Sequence, residues 1–275
     1  MYKNIINTII SYTTPWELPP KEFRNKPLKF YGRVNTWASE SEKKLRTDLI
    51  LCKSNGIDGY HIELSGWDSN STGGIWNNQK LFDRTINRYE WLVKQCRALG
   101  LWLFVSIVND NMGSGKYGDK SPTLDKVFSK ALSLMDVIKK CGSNNILVQP
   151  VAEAHTDAGF KFERKCKKDL NGFNLVYNGD WGRPGSAKGM KYRAWHPSSI
   201  SSISKIKNAS NCIVSSDHGN IIRELSYGLD GKMKPDKIAK FYNNVKSINA
   251  PVCCFYAFLL KDTDKSGIEE FGKLK

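Results

Sequence analysis

The sequence predicts an α/β protein, a single-domain (β/α)8 barrel of the TIM type, on three observations. Strand-like apolar runs alternate with amphipathic helices along the chain, several helices stop at a glycine just before the next strand, and eight strands can be counted. Such alternation implies parallel strands joined by helical crossovers. The length of 275 residues sits near the ~250 usual for eight strand–helix units. A doubly wound open sheet is the alternative, but eight strands closing on themselves account for the count better.

The strands are read at 30–37, 59–65, 101–109, 146–152, 174–178, 192–196, 212–216 and 252–259. Between them, apolar residues recur with the 3.6-residue period of a helix that buries one face. Leu45, Leu49 and Cys52 form one stripe, and Thr85, Tyr89, Leu92, Cys96 and Leu99 another. Leu124, Phe128, Ala131, Met135 and Ile138 follow Pro122, while Ile238, Phe241, Val245 and Ile248 follow Pro235. Proline suits a helix start, where its missing N–H costs nothing. Gly56, Gly100, Gly142 and Gly172 occupy the positions where helices end. Residues 1–27, with Pro15, Pro19 and Pro20, read as an irregular arm, and 28–275 as the barrel domain.

Hydrophobic residues make up 40% and charged residues 25% of the chain, an ordinary globular composition. No stretch approaches the ~20 apolar residues of a membrane span. The first sixteen residues lack the apolar core and cleavage site of a signal peptide. Cytoplasmic synthesis is therefore expected; an enzyme released by lysis or carried in a virion and an ordinary intracellular one fit equally well. The seven cysteines include no CxxC pair and mostly sit in apolar stretches, so buried, reduced thiols are expected. The net charge of +15 favours polyanionic partners, an anionic glycan among them. A lysine-rich proteome accounts for it equally well, since only KFERKCKK at 161–168 is dense. Nucleic acid is not expected, because charge alone points to it and no recognition motif occurs. No phosphate-cradling glycine loop is present either.

A barrel of this kind keeps its chemistry at the C-terminal ends of the strands, and the polar residues fall there. The first strand ends in Arg33, Asn35 and Trp37, the second in His61, Glu63 and Ser65, and the third in Ser106, Val108 and Asp110. The fourth carries Leu147, Gln149, Val151 and Glu153 on one face. Asn178 and Asp180, His196, Ser215 and Asp217 with His218, and Tyr256 close the remaining four. A polar side chain in an apolar strand is costly unless solvated or paired, so acids at so many strand ends point to one shared mouth. Trp37, Trp67, Trp76, Trp181 and Trp195 lie at or after strand ends. Flat rings beside carboxylates suit a sugar, which packs on indole and hydrogen-bonds to acids. Trp67 and Trp181, in loop-like surroundings, are the favoured two; Trp37 and Trp195 also fit a place in the core.

The segments GIDGYHIELSGWD, YEWLVKQCRALGLWLFVSIVNDN and NNILVQPVAEAHTD resemble the second, third and fourth units of clan-A-type glycoside hydrolases. That resemblance implies a general acid/base glutamate at the end of the fourth strand, which matches Glu153. It implies a second carboxylate after the seventh strand, where CIVSSDHG offers Asp217. The chain departs from that clan twice: Ala152 stands where asparagine precedes the glutamate, and Asp217 stands where the nucleophile is glutamate. Glu63, Asp110 and Asp180 are the other acids available for the second role. Glycoside cleavage needs one protonated and one ionised carboxyl, so the expected function is hydrolysis of a polysaccharide or cell-wall glycan. Arg33, Asn35, Trp67, Asp110, Asp180, Trp181, His196, His218 and Tyr256 are the expected substrate contacts. Two alternatives stay open: a catalytically silent barrel that binds glycan or serves as a structural part, and a metal-dependent hydrolase. For the latter, His61, His155, His196 and His218 would join Asp110, Asp180 and Asp217. No HxH or HExxH spacing occurs, and no metal or other cofactor is expected.

Overall fold

The computed structural model describes residues 26–32, 41–64, 74–109, 124–152, 154, 156–178, 190–216, 219–226, 233–256 and 265–275. The described part of the arm is thus residues 26 and 27. Eight strands are found: β1 (Leu28–Gly32), β2 (Gly59–Glu63), β3 (Trp102–Asn109), β4 (Ile146–Ala152), β5 (Asn174–Asn178), β6 (Tyr192–Trp195), β7 (Cys212–Ser215) and β8 (Val252–Tyr256). All neighbours pair in parallel, and the sheet closes through β1 and β8. The open-sheet alternative is excluded. Strand β1 starts two residues before the expected position, because Leu28 already pairs with Val252.

The helices are α1 (Glu42–Ser54), α2 (Gly74–Asn77), α3 (Gln79–Leu99), α4 (Leu124–Cys141), α5 (Asp157–Asp169), α6 (Gly219–Leu225), α7 (Pro235–Ser247) and α8 (Lys265–Lys273). They are not distributed one to each strand, as a regular set of eight units would require. Strands β2 and β7 are each followed by two helices, and β6 by 3-10 turns at Ser201–Lys205 and Ala209–Asn211. After β5 no α-helix occurs among the described residues. Side chains fix the helix starts: Ser41, Asn78 and Thr156 accept hydrogen bonds from the backbone N–H groups of Lys44, Leu81 and Gly159. Pro235 opens α7 as expected. The four expected stop glycines all adopt positive φ. Gly100 shows why: at φ 63° its N–H bonds back to the Arg97 and Cys96 carbonyls, a turn that an L side chain resists.

The core has two parts, as barrel geometry demands. Outward side chains of the strands meet the apolar stripes of the helices: Leu45, Leu49, Cys52, Tyr89, Leu92, Cys96, Ala131, Met135, Ile138, Ile238, Phe241 and Val245 are buried there. Six of the seven cysteines are buried, and Cys141 is half-buried. Trp76 is fully buried in this outer layer on α2, so it is packing and not a ligand contact. Trp195 is half-buried against the same layer, with the Arg193 guanidinium 5.2 Å from its ring. No helix among the described residues is long and apolar enough to cross a membrane.

Polar ties close the base of the barrel. Arg97 donates from Nε to Asn145 Oδ1 (2.9 Å) and from Nη2 to the carbonyls of Cys141 (2.8 Å) and Asn144 (3.1 Å). Asn145, fully buried, donates in turn to the Leu101 carbonyl (2.9 Å). The ends of α3 and α4 are thereby locked beneath β3 and β4. Lys29 is buried on β1, and its ammonium donates to the Gly272 and Leu274 carbonyls at the end of α8, where a cation is favoured by the helix dipole.

Inside the barrel, Gly59 makes room for the Phe30 ring: a Cβ at Gly59 would lie 2.6 Å from ring carbon Cζ. Gly59→Ala should cost roughly 1–3 kcal/mol through overpacking, read as a fall in thermal midpoint. Adding Phe30→Leu should return part of that loss.

Candidate active site

The register of the strands sorts the inward side chains into layers, with alternate strands contributing to alternate layers. Near the base lie Phe30, Phe104, Val176 and Ile213, all apolar and buried together. The next layer holds His61, Gln149, Ala194 and Cys254. Above it come Gly32, Ser106 and Ser215, and then Glu63, Val151 and His196. The interior therefore changes from hydrocarbon to polar along the axis, toward the strand ends where barrels of this type work.

One hydrogen-bonded chain crosses three strands. His61 Nε2 lies 2.9 Å from Ser106 Oγ, and the Ser106 hydroxyl donates to Gln149 Oε1 at 2.7 Å. Since Ser106 spends its proton on Gln149, it accepts from His61, which fixes the Nε2–H tautomer. The His61 ring also stacks on Phe104, with centroids 4.0 Å apart. Burial holds the His61 pKa well below the ordinary imidazole range, and the charge of His196 acts in the same direction. A neutral ring suits a position walled by Phe104 and serine.

The chain also orients Gln149. With Oε1 engaged by Ser106, the amide Nε2 is turned elsewhere, and among the described residues it has no hydrogen-bond partner. The Ser215 hydroxyl is in the same condition on the opposite side of the interior. Both residues are 1% exposed. A buried polar atom left unpaired costs about 1–3 kcal/mol, so two such atoms facing one interior are a donor set that a hydroxyl-bearing group can satisfy.

Of the expected site residues, Glu63 lies on the inward face of β2 and is 4% exposed. His196 follows β6 directly and is half-buried. Tyr256 ends β8, paired with Gly32. Glu153 and Asp217, and likewise Arg33, Asn35, Trp67, Asp110, Asp180, Trp181 and His218, lie outside the described residues. Sequence reading placed His61, Ser106, Gln149 and Ser215 on inward faces without joining them. The signal for joining them was the polar residue at alternate positions of apolar strands, Gln149 within ILVQPVA above all. No group of three or more potential metal ligands occurs among the described residues.

The low pKa of His61 has a sign. The unfolded chain takes up its proton near 6.5, the folded chain only at lower pH. Stability is therefore full above about 6.5 and falls as pH drops below it. The thermal midpoint should decrease between pH 7.5 and 5.5, and His61→Gln should make that slope shallower. An unchanged slope in the variant would place the titration on another group.

Neither a described protein family nor a curated protein matches the sequence. Solved structures do resemble it. A glycoside hydrolase family 5 protein from Bacteroides vulgatus aligns over 83% of this chain and 58% of its own, with a TM-score of 0.59 and 7% identity. The endo-β-1,4-mannanase of Thermotoga petrophila aligns over 93% and 78%, with a TM-score of 0.59 and 8% identity. A family 113 β-1,4-mannanase aligns over 91% and 99%, with a TM-score of 0.55 and 11% identity. The chain thus spans well under two thirds of the family 5 protein but nearly all of the family 113 enzyme. At these identities the likeness is one of architecture: this chain has the closed parallel barrel fold on which glycoside hydrolases are built.

Proposed function

We propose that the chain is a glycoside hydrolase that cleaves a polysaccharide or cell-wall glycan at the C-terminal mouth of its barrel. The observation that carries this reading is the polar interior beneath the strand ends, where Gln149 Nε2 and Ser215 Oγ face inward without partners among the described residues. Hydroxyl-rich ligands supply acceptors and donors to such groups, whereas a barrel kept for stability fills these layers with branched aliphatic residues. Glu153 follows β4 directly, four residues beyond Gln149, and Asp217 is two residues beyond Ser215. Each acid therefore stands an even number of residues after an inward-facing polar residue of its strand. The fold shared with two mannanases supports the same reading and makes β-1,4-linked mannan the first glycan to test.

In this mechanism Glu153 donates a proton to the leaving oxygen, and Asp217 acts as nucleophile or as base toward water. Aspartate is one methylene shorter than glutamate, so the gap between the carboxyls need not equal that of a Glu–Glu pair. A gap of about 5–5.5 Å supports direct attack with retention, and roughly 6.5–9.5 Å admits a water and inversion. The second reading, a barrel that binds glycan without cleaving it, is favoured by Ala152 where an asparagine is expected and by aspartate at position 217.

Glu153→Gln keeps shape and removes the transferable proton. General acid catalysis is worth ~10²–10⁴-fold, so turnover of manno-oligosaccharides or another cleaved glycan should fall by that order. An aryl glycoside with an acidic leaving group should lose less, and binding of uncleaved chains should change little. If wild type and variant behave identically on every glycan they bind, the chain is a binding module.

A further inference from the structure

The dense basic run at 161–168 has no part in the mouth. It lies on α5, whose buried face of Phe160, Phe162, Glu163 and Cys166 is turned toward the barrel. Helix α4 packs beside it, with the Phe128 and Phe162 rings 5.4 Å apart and the Cys166 thiol 3.6 Å from the Met135 sulfur. The opposite face of α5 exposes Lys161, Arg164, Lys165 and Lys168. Residues three and four apart share one side of a helix, so these cations form a row about 10 Å long. The last turn of α4 adds Lys139. Its charge and that of Lys168 act on Asp169, whose carboxyl is held below the usual range chiefly by the hydrogen bond from Lys165 at 2.7 Å. Asp136 of α4 also acts on Lys165. Five cations are thus interleaved with three carboxylates, Asp136, Asp157 and Asp169.

The strand-end segments differ. The segments after the eight strands, residues 33–41, 64–73, 110–123, 153–156, 179–191, 196–200, 216–218 and 257–264, together carry nine carboxylates and seven Lys or Arg side chains. The surplus that makes the whole chain +15 therefore lies outside those segments, much of it on the helices. Anions are therefore drawn to the wall more than to the near-balanced strand-end segments.

We infer that the exposed α4–α5 face is a docking surface for an acidic polysaccharide of uronate type, and that the mouth takes an uncharged chain. The row interleaves its cations with Asp136 and Asp169, so it is not an unbroken basic stripe. The row also presents no aromatic side chain on which bases could stack. Insertion into a membrane has no wedge here, since Ile50 on α1 is the one large exposed hydrophobic among the described residues. The choice of a glycan rests on the proposed function of the mouth, but the docking itself does not require cleavage.

Retardation of the full chain in gels containing polygalacturonate tests the inference. The variant carrying Lys161→Gln, Arg164→Gln and Lys168→Gln leaves the Lys165–Asp169 pair intact. A control carrying Lys43→Gln, Lys94→Gln and Lys240→Gln, all exposed on other helices, has the same net charge. Affinity at low salt should fall about tenfold or more in the first variant through lost counterion release, and at most slightly in the control, with matching thermal midpoints. Equal affinity in both variants, whether reduced or not, would overturn the docking surface. Tighter binding of a DNA duplex or of anionic vesicles than of polygalacturonate at one ionic strength would overturn the choice of glycan. Because retardation needs no bond cleavage, a chain without hydrolase activity still gives the expected result.

Discussion

The pairing of β1 with β8 is the constraint on which everything else rests. Five consecutive residue pairs, from Leu28 with Val252 to Gly32 with Tyr256, join the first strand of the barrel to the last. Without them the sheet has two long apolar edges, which invite association with other chains. With them, eight strand ends form a ring, and residues distant in sequence share one interior. The closure is reinforced at the base: Lys29, whose backbone N–H donates to Asp58 and whose ammonium caps α8, binds the first strand to the last helix. The cost of burying that ammonium, seen in its lowered pKa, is offset by two carbonyls and by the nearby Asp58 carboxylate.

Much of this fold was legible because its signals are local. The periods of 3.6 and 2, the glycine stops and the prolines each report on a few neighbouring residues, and β4 and β5 were placed to the residue. The missing helices were less legible. Nothing in a short polar stretch says whether it coils into 3-10 turns, as at Ser201–Lys205. Position near a strand end does not by itself mark a ligand contact: Trp76 shares it with the favoured Trp67 and Trp181, but a four-residue helix carries it into the outer core. The site was legible as a set of faces and illegible as a network. That Ser106 lies between His61 and Gln149 depends on the register of β2, β3 and β4, which three separate sequence segments cannot announce.

Polarity inside the barrel runs counter to stability. His61, Ser106, Gln149 and Ser215 occupy inward positions that valine or isoleucine would fill at no desolvation cost. The His61–Ser106–Gln149 chain removes part of that penalty by pairing its members. The remainder falls on single atoms, Gln149 Nε2 within the chain and Ser215 Oγ outside it. A network that satisfied every member would gain more stability and offer nothing to a ligand.

That distribution bears on what the barrel is for. A parallel barrel hosts many unrelated chemistries, so resemblance in fold at 7–11% identity leaves function to be argued from the site. Among the described residues, buried polar atoms without a partner also occur singly in the outer layer, at Trp76 Nε1 and the Tyr89 and Tyr242 hydroxyls, but the polar residues of the interior are contiguous. They begin one layer above Phe30 and Phe104 and continue toward the strand ends, on β2, β3, β4 and β7 together. An isolated buried polar residue is explained by its own hydrogen bond. A set that is aligned across four strands, oriented by a neutral histidine and left open at two donors is explained more simply by something that enters from the mouth.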